Sequence, residues 1–543
     1  MSFTRSCEDA LLSFLQTAVV IDDDAYDFCN TTDVPTIVQT PGRKVFPPIS
    51  DTPAQRQAGK LDSKCLVKSF SAWNIICSVI EPNIDEDIVS YSQFISKSDI
   101  IILDWKIRND DGDCVIKLIQ KIIENSINSL RLICIYTSEP DLNSVIHSIQ
   151  QKINNLKLIK KSDTFCLTMN STFITIFNKC NTLDSNDPIK NDKLHNERKI
   201  SEDWLPFFIV SEFSKFTAGL LSNAVLHIMG AIRRNAYALI GKFSPDIDTA
   251  FVSHTLYSKP LDDSKNHIVP IILSEINSII QQNNCCEHVS RDKIEEWFFR
   301  KGIPNTNNIE QKIFLPKGME RAFLKYILRN GIPSSREIKN EILKYEVWIN
   351  AIEELEKSVN IRKSLLTKFL GEKHGDIADR KLSALMSLEN VYKVNYKVLR
   401  LGTIVRVGEK YFICIQPTCD SLRIPTSGRK FIFLQLNKVN GPDLHFNFTV
   451  REDDKFIDLQ IDPKPFNISI YEYSPTNING EVVSHMENGY HIFGNHKKNE
   501  VQLIWIGQLK EIHAQRVVNG YAAKISRVGV TEYDWLRRCS SEN

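Results

Sequence analysis

Thr17–Asp24 reads TAVVIDDD and Asp99–Trp105 reads DIIILDW. Each is a short run of β-branched and aliphatic residues that stops at aspartate. Runs of this length, bounded this way, predict fully buried strands of a parallel sheet. In an open α/β sheet, the carboxyl ends of the strands face the crevice where ligands bind. Two such ends side by side would gather Asp22, Asp23 and Asp104 into one pocket. Carboxylates held together repel one another. A hard divalent cation such as magnesium, which takes oxygen ligands, relieves that repulsion.

Outward from these stretches, residues 1–184 alternate strand and helix patterns. Ala18–Ile21, Ile75–Ile80, Ile100–Leu103, Leu132–Tyr136 and Phe173–Phe177 are the expected strands. Leu61–Trp73, Glu86–Ile95, Cys114–Ile123 and Leu142–Ile153 are the expected helices. The alternation predicts a doubly wound, parallel, five-stranded sheet. Its fourth strand ends at Thr137 and Ser138, its fifth at Asn178 and Lys179. Asp27–Gln57, rich in Thr, Pro and Asp, reads as a long loop.

Asn181–Arg198 is a polar linker. Helical patterns then run from Ile200 to Asn390, giving an expected helical domain at 185–390. Trp204–Ala238 is its most apolar part, Pro245 is a breaker, and Ser334–Leu370 is amphipathic. From about Val391 the pattern changes. Leu401–Val407, Tyr411–Gln416, Phe431–Leu436, Phe446–Val450, Phe456–Leu459, Tyr490–Phe493 and Val501–Ile506 are short segments separated by Gly, Pro and Asp. They predict a small antiparallel barrel or sandwich at 391–510. Leu509–Ser526, and a short stretch at Trp535 and Leu536, predict C-terminal helices within 511–543.

The chain has 543 residues and a formal net charge of +1, so a globally basic nucleic-acid binder is excluded. Its 13 cysteines form no CxxC pair or regular framework, which fits a reducing cytosol. Cys285, Cys286 and His288 lie together, but no second pair follows at zinc-site spacing, so they read as ordinary residues. The N-terminal MSFTRSCEDALLSFLQ is a poor signal peptide because Glu8 and Asp9 precede its apolar patch. Phe216–Ile232 falls short of the ~20 residues needed to span a bilayer. A cytoplasmic protein with no membrane partner is the expectation.

The N-terminal third resembles the receiver domain of bacterial response regulators. Receivers carry an acidic pair after strand one, matching Asp22 and Asp23 in VVIDDD, and a phosphoacceptor aspartate after strand three, matching Asp104 in IILDW. They carry Thr or Ser after strand four, matching Thr137 in CIYTS, and lysine after strand five, matching Lys179 in IFNK. The resemblance implies that Asp104 takes a phosphoryl group as an acyl phosphate. It implies that Asp22, Asp23 and Asp104 hold Mg2+ with a backbone carbonyl near Lys106. Thr137 would then bond a phosphoryl oxygen, and Lys179 would pair first with Asp104 and later with the phosphoryl group. The added charge of roughly −2 would alter the surface around strands four and five.

The sequence also departs from receivers. The loop after strand one is long, Trp105 is bulky enough to cover the site in part, and Cys180 replaces the usual proline after the lysine. Lys160 and Lys161 lie nearer the usual lysine spacing, but Phe173–Phe177 is the better strand, which favours Lys179. The bland alternative is that these aspartates merely cap helices.

The whole chain resembles large receiver-led proteins of bacterial conflict and phage-defence loci. GLLSNAVLHIMGAIRRN, KFSPDIDTAF and YFICIQPTCDSLR carry that resemblance. It implies a histidine-kinase-like GHKL ATPase as phosphodonor, and an effector protein or a second copy of the chain as partner. The first expectation is a phosphorylation-responsive regulator, not an enzyme. A second is a degenerate receiver that serves as a docking scaffold. A third is a nucleic-acid-binding effector acting through the barrel, with Tyr411, Phe412 and Arg423 as its surface. Arg233 and Arg234 could touch nucleic acid or form a salt-bridged helix face. Cys419 and Asp420 suit a structural turn better than catalysis, since only His445 and His485 could serve as base and both are distant in sequence.

Overall fold

The computed structural model describes residues 3–26, 60–82, 87–125, 129–153, 159–160, 165–169, 171–179, 198–257, 264–300, 320–331, 367, 375–390, 396–439, 447–453, 455–462, 464, 467–494 and 500–525. The chain divides into two compact units, Met1–Arg300 and Lys301–Asn543. Most of the loop at Asp27–Gln57, the linker, Ser334–Leu370, and Trp535 with Leu536 lie outside the described residues.

The first unit is built on β1 (Thr17–Ile21), β2 (Ile76–Ile80), β3 (Ile100–Leu103), β4 (Arg131–Thr137) and β5 (Thr172–Lys179). They lie in the order β2-β1-β3-β4-β5, and every pairing among them is parallel. This is the expected doubly wound sheet. An antiparallel pair absent from the sequence reading, Ile159–Lys160 with Cys166–Met169, extends it along the first half of β5. Lys199–Ile200 then pairs in parallel with Asn178 and Lys179 at the end of β5.

The parallel strands bury side chains on both faces, so their sequences are continuous apolar runs. Among the helices of this unit, those that bear on the sheet are α1 (Phe3–Phe14), α2 (Ser63–Ser71), α3 (Asp113–Glu124), α4 (Leu142–Lys152), α5 (Leu205–Thr217) and α6 (Leu220–Lys242). Val19, Ile21, Ile101, Leu103, Ile133 and Ile135 point to one face and pack on α3 and α4. On α3 the buried residues Val115, Ile116, Leu118, Ile119 and Ile122 recur at helical spacing. Trp105, expected as a partial cover of the pocket, instead turns into this core. Its ring fits because residue 112 is glycine, where a Cβ would lie 2.2 Å from a ring carbon and φ is +83°.

Ala18, Val20, Ile100, Ile102, Leu132, Cys134 and Tyr136 point to the other face. There they meet Leu11 of α1, Phe70 of α2, and Leu205, Ile209 and Phe213 of α5. α6 packs along α1 and adds Leu226. The compact unit therefore takes in helices from both sides of the sheet's sequence, which cover its second face.

Arg233 of α6 bridges to Asp99 at 2.8 Å, donates to Phe14 O at 2.9 Å and lies over the Phe14 ring. Arg234 donates to Ser13 O at 2.6 Å. Both arginines serve carbonyls at the C-terminus of α1, where cations are favoured. Of the two readings for this pair, contact with nucleic acid and a salt-bridged helix face, this geometry is the second. Among the described residues, no helix is long and apolar enough to cross a membrane.

The second unit carries an antiparallel sheet of nine strands: β6 (Thr403–Val407), β7 (Lys410–Cys414), β8 (Arg429–Val439), β9 (Phe448–Glu452), β10 (Lys455–Ile461), β11 (Ile468–Tyr473), β12 (His485–Glu487), β13 (Tyr490–Phe493) and β14 (Leu503–Gln508). The sheet curls into a half-barrel, consistent with the expected small antiparallel barrel or sandwich. A register shift at Ile404/Val405 bends it, and the long β8 pairs with β7, β10 and β11. One face packs Ile404, Ile413 and Leu434 against Val517 of a terminal helix, Glu511–Ile525. The other packs Val405, Phe412, Phe431 and Phe433.

Tyr411 and Phe412 are buried, and the Tyr411 hydroxyl donates to Glu452 Oε2 at 2.6 Å. As core residues they cannot form the expected recognition surface with Arg423. Cys419 and Asp420 are exposed on the turn Thr418–Ser421. His485 pairs with Glu487, and His445 lies outside the described residues.

Candidate functional site

The sheet register builds the site. Ile21 is opposite Leu103, so Asp22 and Asp104 leave neighbouring strands at the same level. Asp22 N–H donates to Ile80 O and Asp104 N–H donates to Ile21 O, which carries the pairing one residue further. Thr137 is opposite Asn178, and Lys179 is the next residue. The expected residues therefore share the carboxyl edge of the sheet, where the strand order reverses between β1 and β3.

Lys179 Nζ lies 2.8 Å from Asp22 Oδ2 and 3.2 Å from Asp104 Oδ1. Asp22, Asp104 and Lys179 are only 1%, 5% and 2% exposed. Asp22 Oδ1 accepts Asp24 N–H at 3.0 Å, and Asp104 Oδ2 accepts Lys106 N–H at 3.1 Å. Asp104 Oδ1 has no directed hydrogen bond among the described residues, only the charge of Lys179 beside it. Thr137 is fully buried, and its hydroxyl accepts Glu139 N–H at 3.0 Å. Asp23, half-buried, accepts Arg108 N–H at 2.5 Å.

Burial pushes the Asp104 carboxyl up to about 6; Lys179 opposes the rise and the Asp22 charge adds to it. Burial also works against the Lys179 ammonium, but the two carboxylates outweigh it and hold its pKa above the ordinary lysine range. A buried charge pair of this kind persists because each partner would otherwise be stranded.

Four further residues shape the pocket: Lys106 and Asn178, known from the sequence only as a backbone carbonyl and a strand end, and Arg108 and Glu139, which the sequence did not single out. Lys106 Nζ pairs with Glu139 Oε2 at 2.8 Å, linking the loops after β3 and β4. Asn178 Nδ2 donates to Glu139 O at 2.6 Å. Arg108 holds φ at +61°, a left-handed conformation costing about 1–2 kcal/mol outside glycine, and so turns its N–H toward Asp23. Glu139, an acid two residues past a strand-end threonine, was the one visible signal. Lys160 lies on the antiparallel extension at the sheet's edge, and Lys161 lies outside the described residues.

The donor set fits a hard divalent cation. Asp22, Asp23 and Asp104 supply oxygen ligands, their charge exceeds that of Lys179, and Asp104 Oδ1 is a buried oxygen without a directed partner. The shell is not assembled in this arrangement, since Asp23 is turned to Arg108. Among the described residues no three His, Cys, Asp or Glu side chains converge at metal-binding distances. That includes Cys285, Cys286 and His288. Cys285 is buried, and His288 Nδ1 lies 3.2 Å from Ser6 Oγ.

No curated protein and no solved structure matches the chain. Residues 14–184 match the family model described as a response receiver domain. Taken with the strand order and the strand-end side chains, that match makes residues 14–184 a response receiver domain, the domain class of response-regulator signalling.

Proposed function

We propose that this chain is a phosphorylation-responsive regulator in which Asp104 accepts the phosphoryl group. The observation that carries the reading is the Lys179 ammonium held between the buried carboxylates of Asp22 and Asp104. A carboxylate oxygen of Asp104 attacks phosphorus. The bond from phosphorus to the donor breaks, and its electron pair leaves with the donor. Thr137 stops accepting from Glu139 N–H and donates its hydroxyl to a phosphoryl oxygen. Lys179 exchanges its contact with Asp104 for the new charge. Mg2+ would be held by Asp22, Asp23 and Asp104 with a backbone carbonyl near Lys106, and when bound it neutralises the acceptor and the phosphoryl oxygens.

The output route starts at Lys179. Its backbone pairs with Ile200, whose carbonyl also accepts the Tyr136 hydroxyl at 2.7 Å. From Ile200 the chain enters α5, which covers the sheet. A change at Thr137 or Lys179 is thus felt one residue away by the segment that leads into the helical extension. To act as a switch it must shift an equilibrium by about 5 kcal/mol. The proposal includes a cytoplasmic setting in a bacterial anti-phage system, a GHKL ATPase as phosphodonor, and an effector protein or second copy as output partner.

The test is incubation with acetyl phosphate and Mg2+, followed by intact-mass measurement, with Asp104→Asn as control. A phosphoryl adduct on the wild type alone is expected. No adduct on Asp104 from acetyl phosphate, phosphoramidate or a GHKL kinase overturns the reading.

Two observations favour a second reading, a docking scaffold with a degenerate receiver. Asp23 is occupied by Arg108 N–H, and Leu221, Val225, Tyr237 and Ile240 of α6 are exposed. Under it, Asp104→Asn leaves complex formation intact, whereas charged substitutions at Val225 and Ile240 abolish it.

A further inference from the structure

The second unit contains a cleft of about 290 Å3 between its terminal helix, Glu511–Ile525, and the strands β9 and β10. Arg516, Lys524 and His513 line it, and among the described residues no aspartate or glutamate does. Neither Arg516 nor Lys524 forms an ion pair among the described residues, and both are exposed. The wall opposite is mixed: Phe448 and Ile461 are its apolar side chains, and Ser387, Asn447 and Gln460 its polar ones. At the base is Tyr521, only 7% exposed, whose hydroxyl is buried without a hydrogen-bond partner among the described residues. Native chains rarely leave a buried hydroxyl unsatisfied, so one aimed into a cleft points to a ligand's polar group.

Gly520 supplies an independent observation. It lies inside the helix, where glycine is costly relative to alanine. A Cβ at that position would meet nothing within 4 Å. Packing within the chain therefore does not require glycine there, yet residue 520 lines the cleft. A missing side chain on a cleft wall leaves room for something that is not part of the chain.

We infer that this cleft binds a small phosphate monoester of about mononucleotide size. The phosphate sits between Arg516 and Lys524, with His513 as a further donor, and the ligand's flat or aliphatic body lies on Phe448 across from Gly520. A phosphate oxygen or a hydroxyl of the ligand reaches the Tyr521 hydroxyl. The volume lies just below the ~300–1,000 Å3 usual for small-molecule sites. A single ester group therefore fits it better than a polymer. The inference is independent of the chemistry at Asp104.

The test uses the full chain, with AMP, GMP, UMP and phenyl phosphate titrated separately by calorimetry. Saturable one-to-one binding of at least one is expected, with no binding of its dephosphorylated counterpart. Arg516→Ala with Lys524→Ala should weaken that binding at least tenfold, and Tyr521→Phe severalfold. Lys438→Ala, an exposed cation of the same unit outside the cleft, should leave it unchanged. Circular dichroism and melting temperature check that each variant is folded. The inference is overturned if none of the four esters binds below millimolar concentration or if the double variant binds as well as the wild type. It is also overturned if a single-stranded oligonucleotide binds while every monoester fails.

Discussion

The ammonium of Lys179 donates to Asp22 across 2.8 Å, although 157 positions separate the two residues in sequence. The same ammonium faces Asp104, so a single cation keeps two buried carboxylates compatible with the fold.

Lys179→Ala should therefore destabilise the first unit by about 3–5 kcal/mol at neutral pH, the usual result of stranding a buried charge. Because Lys179 is raised, its contribution is complete at neutral pH and is lost only as pH climbs through its folded value. Urea denaturation checks the loss. Mg2+ should recover more stability in the variant than in the wild type, since the ion then replaces the missing charge.

Asp104 also loses stability as pH rises, but in a lower window and as a cost to the fold at neutral pH. An unfolded chain releases an aspartate proton near pH 4, whereas native Asp104 keeps it to about 6. In that interval the native state binds more protons, so stability without metal falls as pH rises, by up to roughly 3 kcal/mol. In chelator, Asp104→Asn should flatten this slope and be more stable than the wild type at pH 7 while accepting no phosphoryl group. Melting curves at several pH values decide it. A variant less stable than wild type at pH 7 in chelator would contradict the electrostatics described.

Lys106 and Glu139 pair near the pocket mouth, both partly exposed, so Glu139→Gln should change stability by less than about 1 kcal/mol. Its effect should be kinetic. Freed from Glu139, Lys106 can reach a phosphoryl group on Asp104 and shield it from water. The acyl phosphate should last severalfold longer, measured as decay of the adduct after donor removal.

Gly112→Ala should be among the most damaging small substitutions. The new methyl would sit 2.2 Å from the Trp105 ring, with φ at +83°. Both the buried ring and the backbone resist. A loss of about 2–4 kcal/mol and a shift in tryptophan emission are expected.

The acidic pocket was legible in sequence because its strands are short, uninterrupted apolar runs. Ile100–Leu103 is a strand with the expected bounds, and the strand ends named by the sequence meet at one edge. Phe3–Phe14, in contrast, was read only as a poor leader, yet it is an amphipathic helix with Leu11 fully buried. Cys166–Met169 is too brief to announce itself. Ile468–Tyr473 was missed because half of its residues are neither clearly in nor clearly out and Ile470 faces outward. The sequence marks Trp204–Ala238 as apolar and helical, but not that Leu205–Thr217 lies against the sheet. Contacts between residues this distant in sequence leave no local pattern to read.

Phe70, Phe213 and Leu11 cover one wall of the receiver sheet, and Phe213 and Leu11 come from outside the family-matched span of 14–184. Cutting the chain at those family limits would bare Tyr136, Phe177 and their neighbours to water. This receiver is not an interchangeable cassette: transplanted alone, without the helices that cover its second face, it should clump.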